Sequence, residues 1–135
     1  MGNRAVISFD DNDNATGVYL HWNGGPESVL AFLAAAKVLG VRNGSDRPYF
    51  FARFCQLVGN FFGGTTSIGI GPVKSLDRNN FDNGWYILND DLTIRARKFS
   101  KDSRTRVDDL APDDVMKYEK IKDQCIEVNR ELFKE

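Results

Sequence analysis

The chain holds a single histidine and two widely separated cysteines, Cys55 and Cys125. That scarcity excludes much familiar chemistry. His21 alone cannot make a two-histidine metal site, and the sequence contains no CxxC, HExxH, GxSxG or GxxxxGK[ST]. Nucleophilic catalysis needs a base beside the nucleophile. His21 adjoins Trp22 at the end of an expected strand, where a structural hydrogen bond is its ordinary role, and Cys55 lies among Phe54, Leu57 and Val58, surroundings that raise a thiol pKa. Carboxylates are abundant, but no spacing singles out an acid–base pair. Both cysteines fall within apolar helical patterns and read as reduced, buried thiols.

Two further absences concern surfaces. Eighteen basic against 19 acidic residues leave a net charge of −1, so bulk electrostatics gives no reason to bind nucleic acid or an anionic membrane. No uninterrupted apolar run approaches membrane-spanning length, and MGNRAVISFDD lacks a signal segment, which leads to the expectation of a cytoplasmic protein without membrane contact. No cofactor or metal site is expected.

What is present is a core. The 135 residues include ten phenylalanines, a load that suits a packed single domain burying about two-thirds of its unfolded surface. The hydrophobic period changes sharply around Asn23-Gly24-Gly25: residues 17–22 read as a strand, and Pro26 opens a helix with apolar positions at Val29, Leu33 and Ala36. Asn23, Gly24 and Gly25 are together expected to supply the backbone freedom that a sharp strand-to-helix turn requires, since glycine reaches φ > 0 without steric cost and asparagine tolerates it.

Upstream, residues 5–9 read as a strand joined to 17–22 by the polar turn Asp10-Asp11-Asn12-Asp13-Asn14. Asp10, Asn12 and Asn14 have the first ligand spacings of an EF-hand, but Ala15 stands where glycine is needed and His21 where the bidentate glutamate belongs. Residues 49–62 read as a central buried helix with Arg53, Gln56 and Asn60 on one face. After Gly63-Gly64, residues 65–73 alternate isoleucines with Gly69 and Gly71, a strand with one bare side against which another backbone could pack. Residues 85–88 and 92–99 form a hairpin across Asn89-Asp90-Asp91. The fold class that follows is α+β: one domain, a mostly antiparallel sheet of about five strands packed against helices, and a long C-terminal helix.

Residues 1–111 make the core, and residues 112–135 a helix packing on that core or on a partner. Tyr118, Ile121, Cys125, Val128 and Leu132 step by three and four, a narrow seam that raises a homodimer through this helix. The local charge anomaly is basic: Arg95, Arg97, Lys98, Lys101, Arg104 and Arg106, with Asp102 alone against them. Alternation with Ala96 is expected to project Arg95 and Arg97 from one strand face, a geometry for an acidic partner or a positively protected sheet edge.

MGNRAVISF, GVYLHWNGG with its following helix, ARFCQLVGNFFGG and SLDRNNFDNGWYIL together resemble a family of small uncharacterised proteins of phages and mobile elements, over roughly the first hundred residues. The resemblance implies a phage or mobile-element origin and carries over no catalytic residue. The expected function is therefore a non-catalytic protein that blocks a host macromolecule, a protein or protein–nucleic-acid complex of antiviral defence such as a CRISPR effector, through the basic 95–106 stretch. A second possibility is a pocket for a nucleotide-like ligand, in a ligand sponge or small enzyme, lined by His21, Trp22, Asn23, Arg53, Gln56 and Asn60. The third is local nucleic-acid binding through the same basic stretch.

Overall fold

The computed structural model describes residues 2–98, 103–104 and 112–134. Strands β1 (Ala5–Ser8) and β2 (Thr16–Leu20) form the expected hairpin, followed by helices α1 (Pro26–Val38) and α2 (Arg47–Phe62). Strand β3 (Ile68–Pro72), the hairpin β4 (Trp85–Leu88) and β5 (Ile94–Lys98), the two-residue β6 (Ser103–Arg104) and helix α3 (Pro112–Asn129) complete the chain. The sheet order is β3-β2-β1-β4-β5-β6, antiparallel at every pairing but β1–β4. The domain is α+β, as its patterning predicts.

Alternation along the central strands splits their side chains between two faces. Ile7, Val18, Leu20, Tyr86 and Leu88 face the helices, where they meet Phe32, Phe50, Phe54 and Leu57 in the main core. Phe50 stacks on Phe54 with ring centroids 5.1 Å apart, and Phe9 meets Phe50 edge-on at the same distance. The opposite face carries a smaller apolar layer of Val6, Ala15, Val73, Trp85, Ile87 and Ala96. Trp85 satisfies its indole N–H there by donating to Ser8 Oγ at 2.8 Å.

The turn at Asn23-Gly24-Gly25 divides the work among its three residues. The left-handed residue is Asn23, with φ 52°, whereas Gly25 caps α1 at φ −68°. Gly24 is needed for closeness: a Cβ there would lie 2.6 Å from the Asn3 carbonyl oxygen, and its own carbonyl accepts from the Tyr86 hydroxyl at 2.7 Å. The turn is thereby tied to the sheet.

α3 lies on the core, against α1 and α2. Its buried stripe follows the helical period through Cys125, Ile126 and Asn129, with Ile121 half-buried, while Val128 and Leu132 of the expected seam are 48% and 61% exposed. A hydrogen-bonded asparagine occupies the buried position that an apolar period counted from side chains alone passes over. On β3 the bare side is open at Gly71, where a Cβ would meet no described atom within 4 Å, while at Gly69 it would lie 3.9 Å from the Cβ of its cross-strand neighbour Tyr19; on the other face Ile70 is 56% exposed.

Candidate functional site

The loop before β4 is built on Asn80. Its side chain is fully buried, with Oδ1 accepting from the main-chain N–H groups of Asp82, Asn83 and Gly84 at 3.0 to 3.1 Å. Nδ2 donates to the carbonyls of Asp77 and Gly84 at 2.8 and 3.1 Å. One amide thus meets five main-chain groups and fixes the path of the turn. Within it, Phe81 adopts φ 63° and is 82% exposed. A bulky residue in the left-handed region costs about 1–2 kcal/mol, and here burial returns nothing for it.

Residues 3–4 join this loop to the corner at His21. Asn83 N–H donates to the Arg4 carbonyl, while Asn3 N–H donates to the His21 carbonyl at 2.9 Å. The Arg4 guanidinium spans Asp82 at 2.8 Å and Asp77 at 3.0 Å. Its hydrogen bond holds the Asp82 carboxyl below the usual carboxylate range, and the same bond raises the Arg4 pKa. At the corner, His21 Nδ1 lies 2.8 Å from the Tyr19 hydroxyl, whose pKa is raised by burial. The imidazole meets Trp22 edge-on at 4.6 Å, and Trp22 is 44% exposed. Asn23 Nδ2 reaches Ser28 Oγ at 3.4 Å. This region presents Trp22 and Phe81 on two turns, both braced by residues 3–4.

The basic stretch is not the uniform patch its sequence suggests. β4 and β5 shift register so that Ile87 faces Ala96 and Leu88 faces Ile94, leaving Arg95 as the extra residue of a bulge. The alternation of Arg95 with Arg97 is lost there. Arg97 is 6% exposed, its guanidinium 4.9 Å from the Tyr86 ring centre and its Nε 3.1 Å from the Asn83 carbonyl. Arg95 is exposed and reaches the Phe9 carbonyl at 3.3 Å. Lys98 pairs with Asp11 and lies over Trp85. Arg104 sits in β6 opposite Arg97, and Lys101 and Arg106 lie outside the described residues.

The acidic turn of the first hairpin is spent on ion pairs: Asp10 with Arg47, Asp11 with Lys98, Asp13 with Arg78. Arg78 holds the Asp13 carboxyl below its usual range. Among the described residues no group of three His, Cys, Asp or Glu side chains is placed to hold a metal ion.

The polar stripe of α2 divides. Arg53 donates to Gln56 Oε1 at 3.0 Å, and both line a cavity of about 290 Å3 with Tyr49, the end of α1 and the residues after α3. Asn60 instead donates to Asn129 Oδ1 at 2.8 Å, a structural contact between α2 and α3. His21, Trp22 and Asn23 do not line that cavity. The six residues expected to share one pocket lie in three places.

Burial pushes the Cys55 thiol up to about 11 and the Cys125 thiol to about 12, so neither supplies an appreciable thiolate at neutral pH. Among the described residues no helix is long and apolar enough to cross a membrane. Asn79 to Gly84 is a run of turn-forming residues, and Phe81 is not among the site residues that the sequence suggests. The available signal was a large aromatic residue inside an asparagine-rich turn, where nothing local could bury it. In comparisons with protein-family models, curated proteins and solved structures, the chain matches none.

Proposed function

We propose that this chain is a non-catalytic binding protein that blocks a host macromolecule by contact, and that the Asn80–Gly84 loop is its presenting element. One observation carries the reading. Phe81 is held outward by a buried asparagine that meets five main-chain groups, on a backbone whose strain lowers folding stability and whose fixed path prepays the ordering of an aromatic anchor. Aromatic side chains are enriched where protein partners meet. Trp22, on a turn that Asn3 braces, is a second exposed aromatic residue. The resemblance to phage and mobile-element proteins supports a host target in antiviral defence, a CRISPR effector among the candidates.

The test compares capture from a host lysate by the tagged wild-type chain with capture by Phe81→Ala and Trp22→Ala variants. Loss of the same bound protein in both variants, with melting temperatures preserved, is expected. Equal capture of that protein by the wild type and Phe81→Ala would overturn the reading.

A further inference from the structure

The cavity beside α2 has a charge pattern that the fold does not require. It opens where the end of α1, the outer face of α2 and the residues after α3 meet. Arg42, Arg53 and Lys134 line it together with Tyr49, Gln56 and Phe133, and no carboxylate lines it among the described residues. Tyr49, Arg53 and Gln56 share a helix face because they recur at i, i+4 and i+7.

Basic residues near helix C-termini often serve the carbonyls left unpaired there. That role is largely filled by the main chain at α1: the Ala35, Ala36 and Lys37 carbonyls accept from the N–H groups of Leu39, Val41 and Gly40. Nor are the three cations matched equally by acids. Arg42 meets Asp46 at 3.5 Å and Lys134 meets Glu131 at 3.1 Å, both exposed pairs of small worth. Among the described residues Arg53 meets no carboxylate within ion-pair distance and donates only to Gln56.

The remaining lining is suited to a planar group. The Arg42 guanidinium lies 4.5 Å from the Tyr49 ring centre, and Tyr49 is 60% exposed, so the two form a flat platform at the rim. Gln56 gives its oxygen to Arg53, leaving Nε2 to donate to an acceptor on a ring edge. At about 290 Å3 the space lies just below the range of small-molecule sites, about 300 to 1,000 Å3, and is open at its rim to a ligand only partly enclosed. We propose that this cavity binds a phosphorylated nucleotide unit, its phosphate between Arg53 and Lys134 and its base on the Arg42–Tyr49 platform.

Calorimetric titration of the full chain at low salt tests this, with adenosine and guanosine 5′-monophosphates, adenosine, inorganic phosphate and a short 5′-phosphorylated oligonucleotide as probes. A monophosphate is expected to bind at least about tenfold more tightly than either adenosine or phosphate, since each supplies half of the contacts. Arg53→Glu should weaken it at least about tenfold, and Tyr49→Ala should erase the advantage over inorganic phosphate. Both side chains are exposed, so the unliganded variants should melt with the wild type. Tighter binding of the oligonucleotide would name a strand end as the source, and weaker binding a free nucleotide; either upholds the site. No binding of either monophosphate, or binding unchanged in Arg53→Glu, would overturn it.

Discussion

Asn129, fully buried on the last turn of α3, donates from Nδ2 to the Leu57 carbonyl of α2 at 3.1 Å. The same amide reaches the Cys125 carbonyl at 2.8 Å, and its oxygen accepts from Asn60. This polar contact fixes how the C-terminal helix sits on the core. Buried amides favour one register because every other register strands them.

Replacing Asn129 by Ala leaves the Leu57 carbonyl without that donor and opens a small void. A loss of about 1–3 kcal/mol is expected, read as a lower urea midpoint with little change in slope. Asn60→Ala, at an exposed position, should cost less than half as much. Equal effects would show that Asn129 contributes through Asn60 alone.

Phe81→Asn separates folding from function. Asparagine tolerates the left-handed region, and at 82% exposure the phenylalanine forfeits little packing, so the variant should gain up to about 1 kcal/mol in denaturant unfolding. Partner capture should fall. Asn80→Ala should do the opposite to stability, losing about 2 kcal/mol or more as five main-chain groups lose their partner.

Acid should act through Asp82. Its carboxyl titrates below the ordinary value of about 4 because Arg4 hydrogen-bonds it, so the native state binds fewer protons than the unfolded chain near that pH. The stabilisation is therefore present above the unfolded pKa and is lost as pH falls through the depressed native value. Unfolding curves of Asp82→Asn should be flatter than wild type on the acid side of about pH 4, and parallel curves would refute the assignment.

Thiol reactivity should track unfolding. With native pKa values of about 11 and about 12, Cys55 and Cys125 should modify slowly with a disulfide reagent at neutral pH and rapidly in denaturant. Fast labelling of Cys55 in the native chain would contradict its burial.

Gly44→Ala probes the packing between the α1–α2 connection and the sheet. A Cβ there would come within 2.4 Å of the Phe9 ring, which is itself packed against Phe50 and Phe51. A destabilisation of about 1–3 kcal/mol is expected by thermal or denaturant unfolding. Gly40→Ala, with open space but φ 84°, should be destabilised by backbone strain alone.

The amino-acid order by itself determined the main strands and helices of this protein. Short apolar runs in β1 and β4, β-branched and aromatic residues in β2, proline at the openings of α1 and α2, and glycine at their ends act within a few residues, and local sterics suffice to place them. Only the tertiary structure decided which side chains are left for function. A bulge at Arg95 sends Arg97 onto Tyr86, Asp11 claims Lys98, Asn129 claims Asn60, and residues 3–4 brace the turn that exposes Phe81. Each of these contacts joins residues far apart along the chain or turns on the register between strands, and such partners are set by packing geometry that no local pattern encodes.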